Sequence, residues 1–168
     1  MNQLYPYGFL AWMILSFVLY IGWIVLKFGI QPSISDSFYA LQDKYGEGSL
    51  KPWLFWLFLI NVAWPLFPLL KYNGFSFFAL AGVVLVGAAA RFRKGKYVEI
   101  PHVIGATGGI ALAFVAIGFV FGGWAWIWLA AILVVLATLS WTRVPNDTWW
   151  TQIAAFALIV AALFVHTT

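Results

Sequence analysis

Residues 53–102 read WLFWLFLINVAWPLFPLLKYNGFSFFALAGVVLVGAAARFRKGKYVEIPH. Two apolar runs are separated only by Tyr72-Asn73-Gly74, and the chain then turns basic, with Arg91, Arg93, Lys94 and Lys96 ahead of Pro101. A helix needs about 17–25 apolar residues to cross the hydrocarbon core of a bilayer. Asn-Gly is a turn signal, so the two runs read as a tight antiparallel helical hairpin rather than as one long helix. The basic stretch closes the second helix, and Pro101, suited to a first helical turn, opens the next.

The same length rule, carried outward, predicts six transmembrane helices at about 8–28, 53–71, 74–92, 101–122, 124–141 and 148–166. Gly122-Gly123 divides the fourth from the fifth as the Asn-Gly pair divides the second from the third. The expected fold is an all-α, polytopic integral membrane bundle forming a single transmembrane domain over 1–168. The first run lacks the Lys/Arg-rich start of a secretory signal and exceeds a short signal core, so it reads as a retained span.

Composition agrees. Of 168 residues, 64% are hydrophobic and 8% charged, with a mean hydropathy of +0.96, more apolar surface than a water-soluble domain of this length can bury. The absence of cysteine excludes disulfides, thiolate catalysis and cysteine metal sites. A net charge of +4 would suggest nucleic acid in a soluble protein. Here the basic residues flank apolar segments, so the partner they imply is membrane lipid with anionic headgroups, and no nucleic acid.

Charge also sets the orientation. Lys27, Lys44, Lys51, Arg91, Arg93, Lys94, Lys96 and Arg143 fall on one side of the six-span arrangement and Lys71 alone on the other. The positive-inside rule makes the crowded side cytoplasmic. This predicts a multi-pass protein of the inner (plasma) membrane with both termini outside the cytoplasm. The five acids, Asp36, Asp43, Glu47, Glu99 and Asp147, lie on the cytoplasmic side as well.

The longest connection, Gly29 to Lys51, carries a short amphipathic helix at about 34–45. Pro32 stops the first span, Ser33 or Ser35 caps the new helix, Asp36 favours its positive end, and Gly46 ends it. Phe38, Leu41 and Tyr45 form its apolar face. Two roles fit this helix: a surface brace between the first two spans, or a lid over a cavity opening to the cytoplasm.

Ser33-Ile34-Ser35-Asp36-Ser37-Phe38-Tyr39, then Val86-Gly87-Ala88-Ala89-Ala90, then His102-Val103-Ile104-Gly105-Ala106, together resemble small multi-span membrane proteins of bacteria and their phages. That likeness implies a fold and no activity. The same order of features is similar to the superfamily of alkaline ceramidases and progestin-type receptors, which implies a Ser, an Asp and three His converging on zinc. The chain has only His102 and His166, at opposite membrane faces and on the order of 30 Å apart. A catalytic zinc needs about three protein ligands, so no metal site is expected, and no motif names a cofactor.

Two polar constellations remain. At the cytoplasmic entrance of the fourth span, Arg91, Glu99 and His102 could join Ser35 and Asp36 to relay protons, hold an anionic headgroup or coordinate a cation. The plainer reading makes Asp36 and Glu99 helix-start residues and the basic loop an orientation signal. In the second span, Asn61 lies near mid-membrane, and Pro65 removes the N–H that would bond its carbonyl. This is either a transport site on a broken helix or an ordinary kink whose amide bonds a neighbouring helix.

Gly105, Gly109 and Ala113 recur every four residues, and Gly82 and Gly87 lighten the third span. Such faces close a bundle tightly or join two copies as a homo-oligomer. Trp53, Trp56, Trp124, Trp126, Trp128, Trp141, Trp149 and Trp150 read as interface anchors. The functional expectation is a non-enzymatic membrane module that binds lipid or a small solute, or scaffolds an assembly, through its cytoplasmic polar rim. A hydrolase using Asp36, Glu99 and His102, and a small transporter or pore built on Asn61, are the alternatives.

Overall fold

A computed structural model describes residues 4–46, 48–90, 96–142 and 145–167; for 4–5, 88–90, 96–103, 125, 129, 136, 139–142 and 167 the description is of backbone alone. The chain folds as α1 (Leu4–Phe28), α2 (Asp36–Tyr45), α3 (Trp53–Ala63), α4 (Leu66–Leu69), α5 (Gly74–Ala90), α6 (Lys96–Phe121), a 3₁₀ turn (Gly123–Ala125), α7 (Trp126–Thr142) and α8 (Asp147–Thr167). The described residues contain no strand. Among the described residues, three helices carry stretches long and apolar enough to cross a membrane, Pro6–Phe28, Ile104–Phe121 and Asp147–His166. Trp53–Leu69, Gly74–Gly87 and Trp126–Val135 are apolar but shorter.

Helix α1 shows why the bundle suits lipid. Leu10, Met13, Phe17, Tyr20 and Ile24, spaced three and four residues apart, are buried against the other helices. Its opposite face is also apolar, with Trp12, Leu15, Val18, Leu19 and Leu26 all more than half exposed except Trp12 at 50%. A helix that is apolar all round belongs where both faces meet nonpolar surroundings.

The hairpin in the opening stretch forms, but its strain sits elsewhere than on the glycine. Lys71 and Tyr72 take positive φ of 53° and 55°, a conformation that costs a non-glycine residue roughly 1–2 kcal/mol. Asn73 caps α5: its Oδ1 accepts the Phe75 N–H at 2.8 Å, and Ser76 Oγ donates to its carbonyl at 2.5 Å. The apolar run Trp53–Leu69 is broken, since α3 ends at Ala63 and α4 restarts after Pro65.

Helix α6 starts at Lys96, five residues ahead of the expected boundary. Pro101 is therefore in the second turn rather than the first, where it forgoes one bond to the Tyr97 carbonyl. Glu99 falls within the first turn, the favourable end of the helix dipole.

The small-residue faces close α5 on α6 within one chain. A Cβ built on Gly82 would lie 2.7 Å from the Gly105 carbonyl oxygen and 2.8 Å from Gly109 Cα. One on Gly105 would lie 2.9 Å from the Gly82 carbonyl oxygen. Only residues without a side chain allow such backbone approach. Gly87 and Gly118 instead seat the rings of Trp56 and Trp126.

The helices alternate in direction, so the molecule has two ends. Phe28, Tyr45, Lys44, Lys51 and the start of α8 gather at one. At the other, His166 stacks on Phe121 at 5.0 Å and Lys71 Nζ lies 5.9 Å from the same ring. Trp149 departs from its expected role as an anchor. It is buried at 1% exposure because its ring fills the core at the α2 end.

Candidate functional site

The segment Ser33 to Ser37 is inserted into the bundle rather than resting on it. Ser33, Ile34, Ser35 and Ser37 are buried, and Ser37 Oγ is 2.7 Å from the Tyr20 hydroxyl. Tyr20 is eight residues before the end of α1, so this contact lies about 12 Å inside that end. A segment this deep must satisfy its polar groups internally. Ser37 Oγ donates to the Ile34 carbonyl at 2.5 Å, and the Ile34 N–H donates to Gln152 Oε1 at 2.6 Å. The Pro32 carbonyl accepts the Trp149 N–H at 3.1 Å.

Between the two capping candidates, the geometry selects Ser33. Its hydroxyl accepts the Asp36 N–H at 3.2 Å and donates to Asp36 Oδ2 at 2.8 Å, while Ser35 makes no side-chain cap bond to the helix. Ser35 Oγ instead lies 2.8 Å from Ser33 Oγ. Asp36 is thus engaged locally as a helix-start carboxylate. Gly46, at φ 86°, ends α2 and donates its N–H to the Gln42 carbonyl, as expected of a stop residue. Phe38 and Leu41 are buried, so the apolar face of α2 turns inward onto α3 and α5.

Below this segment lies a half-enclosed cavity of about 170 Å³. Ser35 and Gln152 supply polar groups to its wall, Phe55, Phe58 and Phe156 supply rings, and Ala63, Ala113 and Ala155 supply small faces. From Gln152 to Ile159 along α8 it extends about 10 Å. The remaining described lining is apolar.

A basic cluster sits at the other end of α2. Lys51 Nζ lies 3.7 Å from the centre of the Tyr45 ring, and Lys44 Nζ lies 5.8 Å from the same ring and 5.1 Å from that of Phe28. Ring quadrupoles hold both ammonium groups in place without neutralising them. Both lysines are exposed, beside exposed Leu50 and Trp53.

The remaining predicted residues are dispersed. Asn61 Oδ1 accepts from Trp12 Nε1 at 3.0 Å, and its Nδ2 donates to the Leu57 carbonyl at 2.7 Å. The amide therefore ties α3 to α1, as the kink reading has it, and does not line the cavity. Arg91 lies outside the described residues, as do the side chains of Glu99 and His102, whose backbone belongs to the first turns of α6. His166 stacks on Phe121, nineteen residues along α6 from His102, or about 28 Å. Among the described residues, no group of three His, Asp or Glu could hold a metal ion.

Gln152, Tyr20 and Trp149 are the site residues that sequence reading missed. A signal existed for Gln152, since an amide inside an apolar span marks a place where a polar partner is needed. Nothing comparable distinguished Trp149 from the ten other tryptophans.

No protein family, curated protein or solved structure matches the chain.

Proposed function

We propose that this protein is a six-span membrane module without catalytic activity, which holds anionic lipid at its cytoplasmic rim. In this reading α1, the broken α3–α4 pair, α5, α6, α7 and α8 each cross the bilayer, and both termini lie outside the cytoplasm. Helix α2 packs at the cytoplasmic end and closes the bundle as a lid. The observation that carries the proposal is the lysine pair around the Tyr45 ring: Lys44 and Lys51 are exposed, both lie near Tyr45 with Lys44 also near Phe28, and neither has a carboxylate partner among the described residues. A phosphate at that place gains two charges already in position, each worth about 1 kcal/mol near an anionic leaflet. The neighbouring Trp53 and Leu50 suit the headgroup boundary.

The test is lipid preference. Purified protein in detergent, titrated with phosphatidylglycerol, is expected to melt at a higher temperature, and phosphatidylcholine or inorganic phosphate is expected to leave it unmoved. Lys44→Gln with Lys51→Gln removes the response to phosphatidylglycerol. An unchanged response in that double variant overturns the proposal. Because the native chain has no cysteine, Lys51→Cys and Lys71→Cys report topology directly. The first should resist an impermeant thiol reagent in intact cells and the second should react; the reverse pattern inverts the orientation.

A further inference from the structure

The cavity beneath α2 uses none of the residues of the lysine pair, and its chemistry differs from theirs. We infer that it is a binding site for a neutral ring of about benzene size carrying a carbonyl oxygen, the chemistry of a quinone headgroup. Its size sets the first limit. An apolar cavity of about 150 Å³ stays dry and takes up benzene, and this one is about 170 Å³. It accommodates one ring, not a two-chain phospholipid.

Charge sets the second limit. Among the described residues the lining includes no ionisable side chain, so a charged ligand would lose its hydration without gaining a partner from them. The third limit is the hydrogen-bonding pattern. Gln152 Oε1 accepts the Ile34 N–H, which leaves Nε2 as the donor of that amide, with no acceptor among the described residues. An amide N–H at the edge of an apolar cavity selects a ligand with an acceptor. Phe55, Phe58 and Phe156 offer ring faces and edges for aromatic contact. Ala63, Ala113 and Ala155 hold the space open, since a larger side chain at any of them would fill it. The open side of the cavity leaves room for a hydrocarbon substituent to exit.

The experiment compares two probes of similar ring size, 2,3-dimethyl-1,4-benzoquinone and toluene, binding to the intact protein in lipid nanodiscs, read by equilibrium dialysis against empty nanodiscs. Saturable quinone binding at least about tenfold tighter than toluene is expected, the gain of roughly one hydrogen bond. Gln152→Leu should remove that preference while leaving toluene binding intact, which also reports that the cavity survives the change. Ala113→Leu should abolish binding of both probes. Equal affinity for the two probes in the native protein, no saturable binding of the quinone, or a preference that persists in Gln152→Leu overturns the inference. These outcomes are independent of the phosphatidylglycerol response, which involves Lys44 and Lys51 alone.

Discussion

The two ends of the molecule are packed by different means. Toward the Lys71 end the core is aliphatic and small, with Leu66, Leu70, Ala113, Ala116, Ile117, Ala162 and Leu163 meeting around Phe114. Toward the α2 end it is aromatic, with Phe17, Tyr20, Phe38, Phe55, Phe58 and Trp149 in one cluster, stacked as closely as 3.7 Å between Phe17 and Phe156 and 4.2 Å between Tyr20 and Phe58. The buried hydroxyls of Ser33, Ser35 and Ser37 belong to the second end, as does the bond to Gln152. Small aliphatic residues let helices approach until the space is filled. Large rings joined to a polar segment leave gaps, and the cavity lies where the two styles meet, between Met13, Ala79 and Ala113 on one side and Phe55 and Phe58 on the other.

The contrast can be broken most directly at Trp149. Trp149→Ala is expected to cost about 4 kcal/mol, in the range for deleting a buried aromatic, measured by unfolding in mixed detergent micelles. Because the Trp149 ring packs in the same cluster as Ile34, Phe38 and Leu41, protease cleavage within 33–45 should accelerate, whereas Leu163→Ala at the opposite end should destabilise without that local effect. Equal protection of 33–45 in both variants would show that the two ends are not energetically distinct.

Gly82→Val tests the tight hairpin. The added side chain meets backbone atoms of α6 that cannot rotate away, so a loss of about 3 kcal/mol is expected, with α5 and α6 driven apart. If the site served self-association instead, the monomer would keep its melting temperature and only the oligomer would change on a native gel.

Ser33→Ala removes the cap of α2 and a partner of Asp36, with an expected loss of about 1 kcal/mol. Ser35→Ala should not reproduce the loss of helical capping. The smallest effect is expected at Asn61→Leu, about 0.6 kcal/mol, the typical value of one interhelical hydrogen bond in a membrane. A loss of several kcal/mol there would give the broken helix a larger role than the Trp12 contact explains.

Much of the framework was legible in the residues themselves. The helix boundaries at Gly74, Gly46 and Phe28 follow from turn chemistry and from apolar runs that end where glycine begins. The Gly82, Gly105 and Gly109 spacing announced close packing, although not which surface it would meet. The opposite ends of His102 and His166 followed from counting residues along helices. By contrast, Phe38 and Leu41 read equally well as a membrane-facing stripe, because hydrophobic periodicity marks an apolar face and not what covers it. Trp149 read as an anchor for the same reason, and Asn61 as either a tie or a transport group until Trp12 was found beside it.

The sequence by itself determined that this chain is helical, that its helices are apolar enough to reject water on nearly every side, and where its charge is concentrated. These are local properties, set by run length, turn residues and side-chain polarity. Only the tertiary structure decided that Ser33 to Ser37 enters the bundle, that Gln152 meets Ile34 across 118 positions of sequence, and that a cavity opens beneath them. Each depends on which helices become neighbours, and a buried polar group far from its partner in sequence carries no mark of that partner until packing brings the two together.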